Sequence, residues 1–276
     1  MNKLALKTLA RSRSLRLARD VDALERGEWG GEAVHEVPWR TGDGRPVAYR
    51  PGSSDVGLVY AILFKPARKS EYWLPPEVAP RTIFDIGANI GITARYLAHR
   101  FPDAAIHAFE PIAANLELLR RNVAGCNVTV HPYGLGAADG AAEFGVPAGA
   151  PDNRGGYSRF AGAAATSVVR AEIRSVGGVL DALRLDSVDV VKIDTEGAEY
   201  DILSAFPAAA LARTRWIYGE LHGAVDGAAS GFRALDLLAP WFDIEVRKPL
   251  RKRNFFFDAC NRRLAERVRG FRRGRR

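Results

Sequence analysis

Apolar positions along this chain gather into five short runs, separated by stretches in which they recur at helical spacing. Thr82–Ile86 (TIFDI), Ala105–Phe109 (AIHAF) and residues 127–133 (NVTVHPY), 189–193 (DVVKI) and 215–221 (RWIYGEL) are mostly apolar or β-branched. Such runs predict strands buried on both faces of a parallel sheet. Ile92, Tyr96 and Leu97 follow the first run, Leu116, Leu119 and Val123 the second, and Tyr200, Ile202 and Leu203 the fourth. Strands alternating with amphipathic helices predict an α/β domain with helices on both faces of the sheet. Phe242–Val246 and residues 254–257 read as a closing antiparallel hairpin after a helix over 232–238. Between the third and fourth runs, residues 141–146 suggest a hairpin extension and 168–175 an edge strand leading to a short helix over 179–183. Residues 147–166 are rich in Gly, Ala, Pro and Ser, and a loop of that length in a compact domain suits either a functional cover over a substrate or a plain disordered surface segment.

Residues 1–80 precede this alternation. Leu4, Leu9, Leu15 and Leu17 lie among basic residues over 1–26, which predicts a helix broken by the glycines of 27–31. That helix suits either the domain's own surface or a membrane surface. A strand over 45–50 and a turn over 51–55 lead to a helix near Val56, with Ser54 or Asp55 as its cap. The chain thus divides into an N-terminal helix and arm (1–80), a main domain (81–258) and a basic tail (259–276).

The first run carries the chemistry. Gly87, Asn89 and Gly91 crowd into five residues between strand and helix, where the backbone must turn sharply and let a ligand approach without a Cβ in the way. Glu110, 23 residues beyond Gly87, ends the second strand, placed to take two ribose hydroxyls. A dinucleotide site wants G-x-G-x-x-G, which GANIG does not supply. S-adenosylmethionine has no pyrophosphate to cradle, and Asp85, two residues before the first glycine, suits its binders.

DIGANIG, AFEP and VVKIDTEGAEYDIL, in this order and spacing, resemble the FkbM family of S-adenosylmethionine-dependent methyltransferases, from about Arg50 to Phe257. The resemblance implies a Rossmann-like class I methyltransferase with a mostly parallel seven-stranded sheet. It implies a cofactor site of Asp85, Gly87, Ala88, Asn89, Gly91 and Glu110, with Leu135 on the adenine wall. Asp55 and Glu71-Tyr72 match a family arm that folds over the cofactor mouth, which brings Tyr72 to the ligand. The acceptor implied is a hydroxyl on a sugar, glycan or small secondary metabolite.

An alcohol is a poor nucleophile, so a base is expected near it. Asp194 at the tip of the fourth strand is the first candidate, His222 the second and Glu220 the third, the last alternatively orienting His222. Asp194 and His222 have plainer readings as a helix cap and a turn residue, and Glu196 and Glu199 read as first-turn acids. Asp194, Glu220 and His222 also have the chemistry for Mg²⁺ or Mn²⁺, but no spacing demands a metal and none is predicted. His107 and His131 lie inside strands and read as packing residues.

Composition adds one correction to the picture. The net charge is +8, yet residues 247–276 hold 13 Lys/Arg against Asp258 and Glu266, and residues 1–19 hold six and no acid. Subtracting both ends leaves −9 for residues 20–246. An acidic body disfavours nucleic acid, while basic ends suit peripheral contact with a membrane. An RNA methyltransferase using the tail and a nicotinamide-dependent oxidoreductase are the alternatives. The second lacks both the third loop glycine and a Tyr-x-x-x-Lys pair. Two cysteines, Cys126 and Cys260, make no disulfide framework. With no apolar run of membrane-spanning length and no signal pattern, a cytoplasmic protein is expected, with membrane association through the basic ends as the alternative. Oligomeric state has no signature in the sequence.

Overall fold

The structure is a computed structural model and describes residues 1–31, 33–145, 168–222, 230–247 and 254–265. The expected covering loop (147–166) and most of the basic tail (266–276) lie outside the described residues.

In chain order the helices are α1 (Lys3–Ser12), α2 (Leu15–Glu25), α3 (Asp55–Leu58), α4 (Ile92–Arg100), α5 (Ala113–Val123), α6 (Val176–Ala182), α7 (Glu199–Ser204), α8 (Ala208–Leu211), α9 (Ser230–Leu238) and α10 (Arg262–Ala265). The strands are β1 (His35–Pro38), β2 (Pro46–Tyr49), β3 (Thr82–Ile86), β4 (Ala105–Phe109), β5 (Val128–His131), β6 (Gly134–Gly136), β7 (Gly140–Gly145), β8 (Val168–Ser175), β9 (Val190–Ile193), β10 (Trp216–His222), β11 (Phe242–Val246) and β12 (Asn254–Asn261).

Seven strands form the main sheet in the order β11-β12-β10-β9-β3-β4-β5, and β12 alone runs against its neighbours. This is a Rossmann-like α/β fold with a mixed but mostly parallel sheet. Each central strand divides its apolar side chains between two cores. Ile83, Ile106, Ala108 and Val190 join one, while Phe84, Ile86, Phe109, Val191 and Ile193 join the other. From β3 the chain winds outward to β4 and β5, then returns to β9 on the opposite side. The crevice outside the carboxyl ends of β3 and β9 is therefore the topological switch point, where such sheets bind ligands.

Four local expectations are corrected. The N-terminal helix is two helices: Arg13 takes φ 54° and the Ser14 side chain accepts from Leu17 N–H, capping α2. Ala5, Leu17 and Val21 pack into the same core as Ile83 and Ala94. Asp55 is no cap, because its carboxylate accepts from Arg50 at N (3.1 Å), Nε (2.7 Å) and Nη2 (3.0 Å). After α3 the chain continues as a buried π-helical turn, Val59–Phe64. The third correction concerns β8, which is no edge of the main sheet. It is the centre of a separate three-stranded sheet, β6-β8-β7, where Gly134 and Gly136 leave room for the Ile173 side chain. Last, the closing strand runs beyond 257 to Asn261, because Ala259 and Cys260 pair with Ile217 and Trp216. The basic tail accordingly starts later than 259.

His107 Nδ1 lies 3.0 Å from His131 Nε2, and His131 stacks on Phe109 at 4.6 Å. Burial, with His107 and Arg174 nearby, pulls His131 down to about 4. Among the described residues no helix is long and apolar enough to cross a membrane.

Candidate active site

Strand register brings the site together. Ile86 is level with Phe109 on one side and Ile193 on the other, and Ile193 is level with Gly219. The next residues therefore lie at one height: Gly87, Glu110 and Asp194 follow the ends of β3, β4 and β9, and Glu220 follows the last β10 residue paired with β9 while β10 itself runs on to His222. A cavity of about 390 Å³ opens there, with all four in its wall. Ala88, Asn89, Leu135 and Tyr72 line it as well.

The glycine turn is locked from below. Gly87 has φ 75°, and a Cβ on it would collide with the Asp194 carbonyl oxygen. Lys192 Nζ donates to Gly87 O at 2.6 Å and pairs with the Asp85 carboxylate at 3.0 Å. Asp85 and Lys192 are partners in the β3–β9 register and both are buried. Desolvation holds the Asp85 pKa above its ordinary value, and Lys192 opposes that rise. Asp85, expected to touch the cofactor, is absent from the cavity wall; it positions Lys192, which positions the turn. Gly91 is also off the wall. It starts α4 at φ 82°, and a Cβ there would press on Leu119 and Val123 of α5. Helix packing, not ligand approach, requires that glycine.

Glu110 is 4% exposed, yet its carboxylate is well supplied with donors. Oε2 accepts from Asn89 N–H (2.8 Å), and Oε1 from Ile112 N–H (3.0 Å) and Asn115 Nδ2 (3.1 Å). Oε1 is filled by its two donors, while Oε2 keeps capacity for one more, as a ribose hydroxyl would be. Asn89 takes φ 49°, and its Oδ1 lies 3.5 Å from Arg50 Nη2. The Arg50–Asp55 ion pair thereby supports the turn from the arm.

Asp194 is held by the Tyr72 hydroxyl, which donates to Oδ2 at 2.7 Å. Burial, reinforced by Glu196 and Glu220 and opposed by Lys192 and His222, lifts Asp194 to about 7. His222 has the opposite surroundings. Its Nδ1 faces Glu199 (2.9 Å) and its Nε2 faces Glu196 (3.2 Å). Desolvation works against its charge, but the two carboxylates prevail and raise His222 to about 11. An imidazole that keeps its proton at neutral pH is no base, and His222 lies outside the cavity wall. Its expected role as second candidate base is corrected on both counts. Glu199 sits in the first turn of α7, as expected. It also accepts from Thr195 N–H (3.0 Å) and Gly197 N–H (2.9 Å), which ties that loop together. Glu196 lies before α7 at φ 56°, in the cavity wall.

For a metal, one oxygen each from Asp194 and Glu196 and one His222 nitrogen lie within 4.8 Å of one another. Glu196 thus takes the place expected of Glu220. His222 Nε2 lies 3.2 Å from Glu196, so a metal there would have to displace a proton held between the two side chains.

Lys192, Asn115 and the Glu196–His222–Glu199 clamp escaped sequence reasoning. Lys192 had a signal: a lysine inside a buried strand run needs a buried partner, and Asp85 is a carboxylate inside another.

A parallel sheet with one reversed strand, a glycine turn at its switch point and an acid at the next strand tip define the class I methyltransferase type of α/β protein. Residues 85–257 match the model of the methyltransferase FkbM domain, and the chain belongs to that family of methyltransferases. The AMB antimetabolite synthetase AmbE of Pseudomonas aeruginosa is 30% identical over 57% of this chain, which spans 9% of that protein. Methyltransferase 1 of Beauveria bassiana is 29% identical over 44% of this chain and is covered over 56% of its length. The crystal structure of methyltransferase FkbM from Methylobacillus flagellatus KT aligns with 90% of this chain and 60% of its own, at 16% identity and a TM-score of 0.44.

Proposed function

We propose that the cavity binds S-adenosylmethionine and that the methyl acceptor is a hydroxyl group on a sugar, glycan or small secondary metabolite. The charge of the wall is the observation that carries the donor. Among the described residues, Glu71, Glu110, Asp194, Glu196 and Glu220 face the cavity against one cation, Lys192. Such a wall repels the pyrophosphate of a nicotinamide dinucleotide and attracts the sulfonium and ammonium of S-adenosylmethionine. Gly87, Ala88 and Asn89 would lie against the ligand, Glu110 would take its ribose hydroxyls, and Leu135 would face its base.

S-adenosylmethionine, when bound, supplies an electrophilic methyl group. The chain's own task is to align an alcohol and remove its proton, and alignment alone is worth on the order of 7–11 kcal/mol. Asp194 serves as the base: a carboxylate near 7 is partly ionised at neutral pH and basic enough to accept a proton. Tyr72 holds Oδ2, which leaves Oδ1 for the acceptor hydroxyl. Glu220 contributes by raising Asp194. Calorimetry should show binding of S-adenosylmethionine and none of NAD. Incubation with methyl-labelled donor and a panel of alcohols, sugars, amines and activated carbons tests the acceptor, and label confined to nitrogen or carbon would refute the hydroxyl reading.

A further inference from the structure

A second cavity, of about 580 Å³, lies between the arm and α4, away from the glycine turn. Arg11, Trp39, Thr41, Tyr96, His99 and Arg100 are in its wall. Among the described residues no acid is in that wall, although residues 20–246 carry a net charge of −9. Its two arginines are fixed by neutral oxygens. Arg11 Nη1 donates to the Tyr60 hydroxyl (2.8 Å), and Arg100 Nη2 to Leu74 O (3.0 Å). Arg100 also lies over the Tyr96 and Phe101 rings, at 5.9 and 5.6 Å. Among the described residues no carboxylate is within ion-pair distance of either guanidinium; Lys65, also in the wall, has Glu71 at 3.5 Å.

An arginine held this way keeps its full charge and several of its five N–H donors, already oriented. Trp39 is 2% exposed, its ring lies in van der Waals contact range of the Gly42 backbone, and its Nε1–H is buried without an acceptor. His99 packs edge-on against that ring at 5.0 Å. The site therefore offers fixed positive charge and N–H donors beside a rigid aromatic floor. Its complement is an oxyanion attached to an apolar body.

We propose that this cavity binds a phosphate ester whose alcohol part is apolar or aromatic, either a free small molecule or the headgroup of an anionic phospholipid. The inference does not rest on the methyl-transfer reading, since Arg11, Trp39, His99 and Arg100, which carry it, are not in the wall of the first cavity. Exposed Lys3, Lys7 and Arg16 on the N-terminal helices, with Arg13 between them, would favour the lipid source.

The test uses the full chain, with phenyl phosphate in calorimetry and vesicles of phosphatidylcholine with or without phosphatidic acid in sedimentation. The variants are Arg11→Gln, Arg100→Gln and their combination, each checked for an unchanged melting curve. Binding of phenyl phosphate that each single variant weakens by about tenfold supports the site. Vesicle binding that needs phosphatidic acid and both arginines assigns it to lipid, and phenyl phosphate binding without it to a soluble ester. Failure of the wild-type protein to bind either probe overturns the proposal, as does binding that survives in the double variant. Should the arginine variants melt early, His99→Ala, at an exposed position, replaces them, and undiminished binding there also counts against the site.

Discussion

The Tyr72 hydroxyl donates to Asp194 Oδ2 at 2.7 Å, joining an arm residue to a strand tip 122 positions away. A donor on an ionised carboxylate favours its charged form. In Tyr72→Phe the ring still packs near Tyr218 and Phe256, but Asp194 loses that support. The acid limb of the pH–rate profile should move up by about one unit, with turnover reduced at pH 7. An unmoved limb would mean that the hydroxyl orients the carboxylate without tuning it.

Asp194→Asn keeps the side chain's shape and its contact with Tyr72 while removing the base. Turnover should fall about a hundredfold or more, donor affinity should change little, and the acid limb near pH 7 should disappear. A variant that retains turnover with the limb intact would leave positioning alone as the mechanism.

The Rossmann-like class and its alternation of strands and helices were legible from the residues. Buried strands are continuous apolar runs, and the ends of three such runs mark Gly87, Glu110 and Asp194, whereas Glu220 lies inside the fifth. What could not be read was direction. Asp85 and Asp194 both sit at or beside strand tips in sequence. Strand alternation turns Asp85 under the sheet toward Lys192, whereas Asp194 lies past the last paired residue, in the cavity wall. His222 presents the same problem. Its chemistry suited a base until the fold set a carboxylate on each ring nitrogen, and Glu196 and Glu199 lie more than twenty residues away in sequence. Gly91 resembled a ligand-facing glycine because helix–helix contact with Leu119 leaves no local trace.

The Asp85–Lys192 pair predicts strong non-additivity. Lys192→Met leaves a buried carboxylate without its cation and should cost about 3–5 kcal/mol in urea denaturation. Adding Asp85→Leu should recover most of that loss, since an apolar pair of similar volume is often neutral. Donor affinity should stay weakened in the double variant, because the Gly87 carbonyl has lost its 2.6 Å partner. Recovery of both stability and affinity would mean that the ion pair does not position the turn.

Glu110→Gln replaces one carboxylate oxygen with an amide. It disrupts acceptance from Asn89 N–H or from Ile112 N–H and Asn115, whichever side the NH₂ takes. Affinity for S-adenosylmethionine should drop by about tenfold or more. A 2′-deoxyribose analogue should lose much less on going from wild type to variant, which separates hydroxyl recognition from general damage to the turn.

His222 supplies a pH dependence of opposite sign to an ordinary buried histidine. Its folded pKa, raised to about 11 between Glu196 and Glu199, lies above the unfolded value of 6.5. Its contribution to stability is therefore complete below about pH 6.5 and is lost progressively as pH rises toward 11. Over that window the unfolded state has released the proton and the folded state has kept it. Unfolding free energy should consequently decline between pH 7 and pH 10, with a slope from this group of at most about 1.4 kcal/mol per pH unit. His131, lowered to about 4, acts only on the acid side: it weakens the fold as pH falls below 6.5, so it does not mask the effect. In His222→Gln the alkaline decline should flatten while stability at pH 7 drops, because the two carboxylates then face a neutral amide. Urea midpoints at pH 7, 8, 9 and 10 for both proteins decide it. Parallel curves would show that the imidazole releases its proton near neutrality, and would return His222 to consideration as a base.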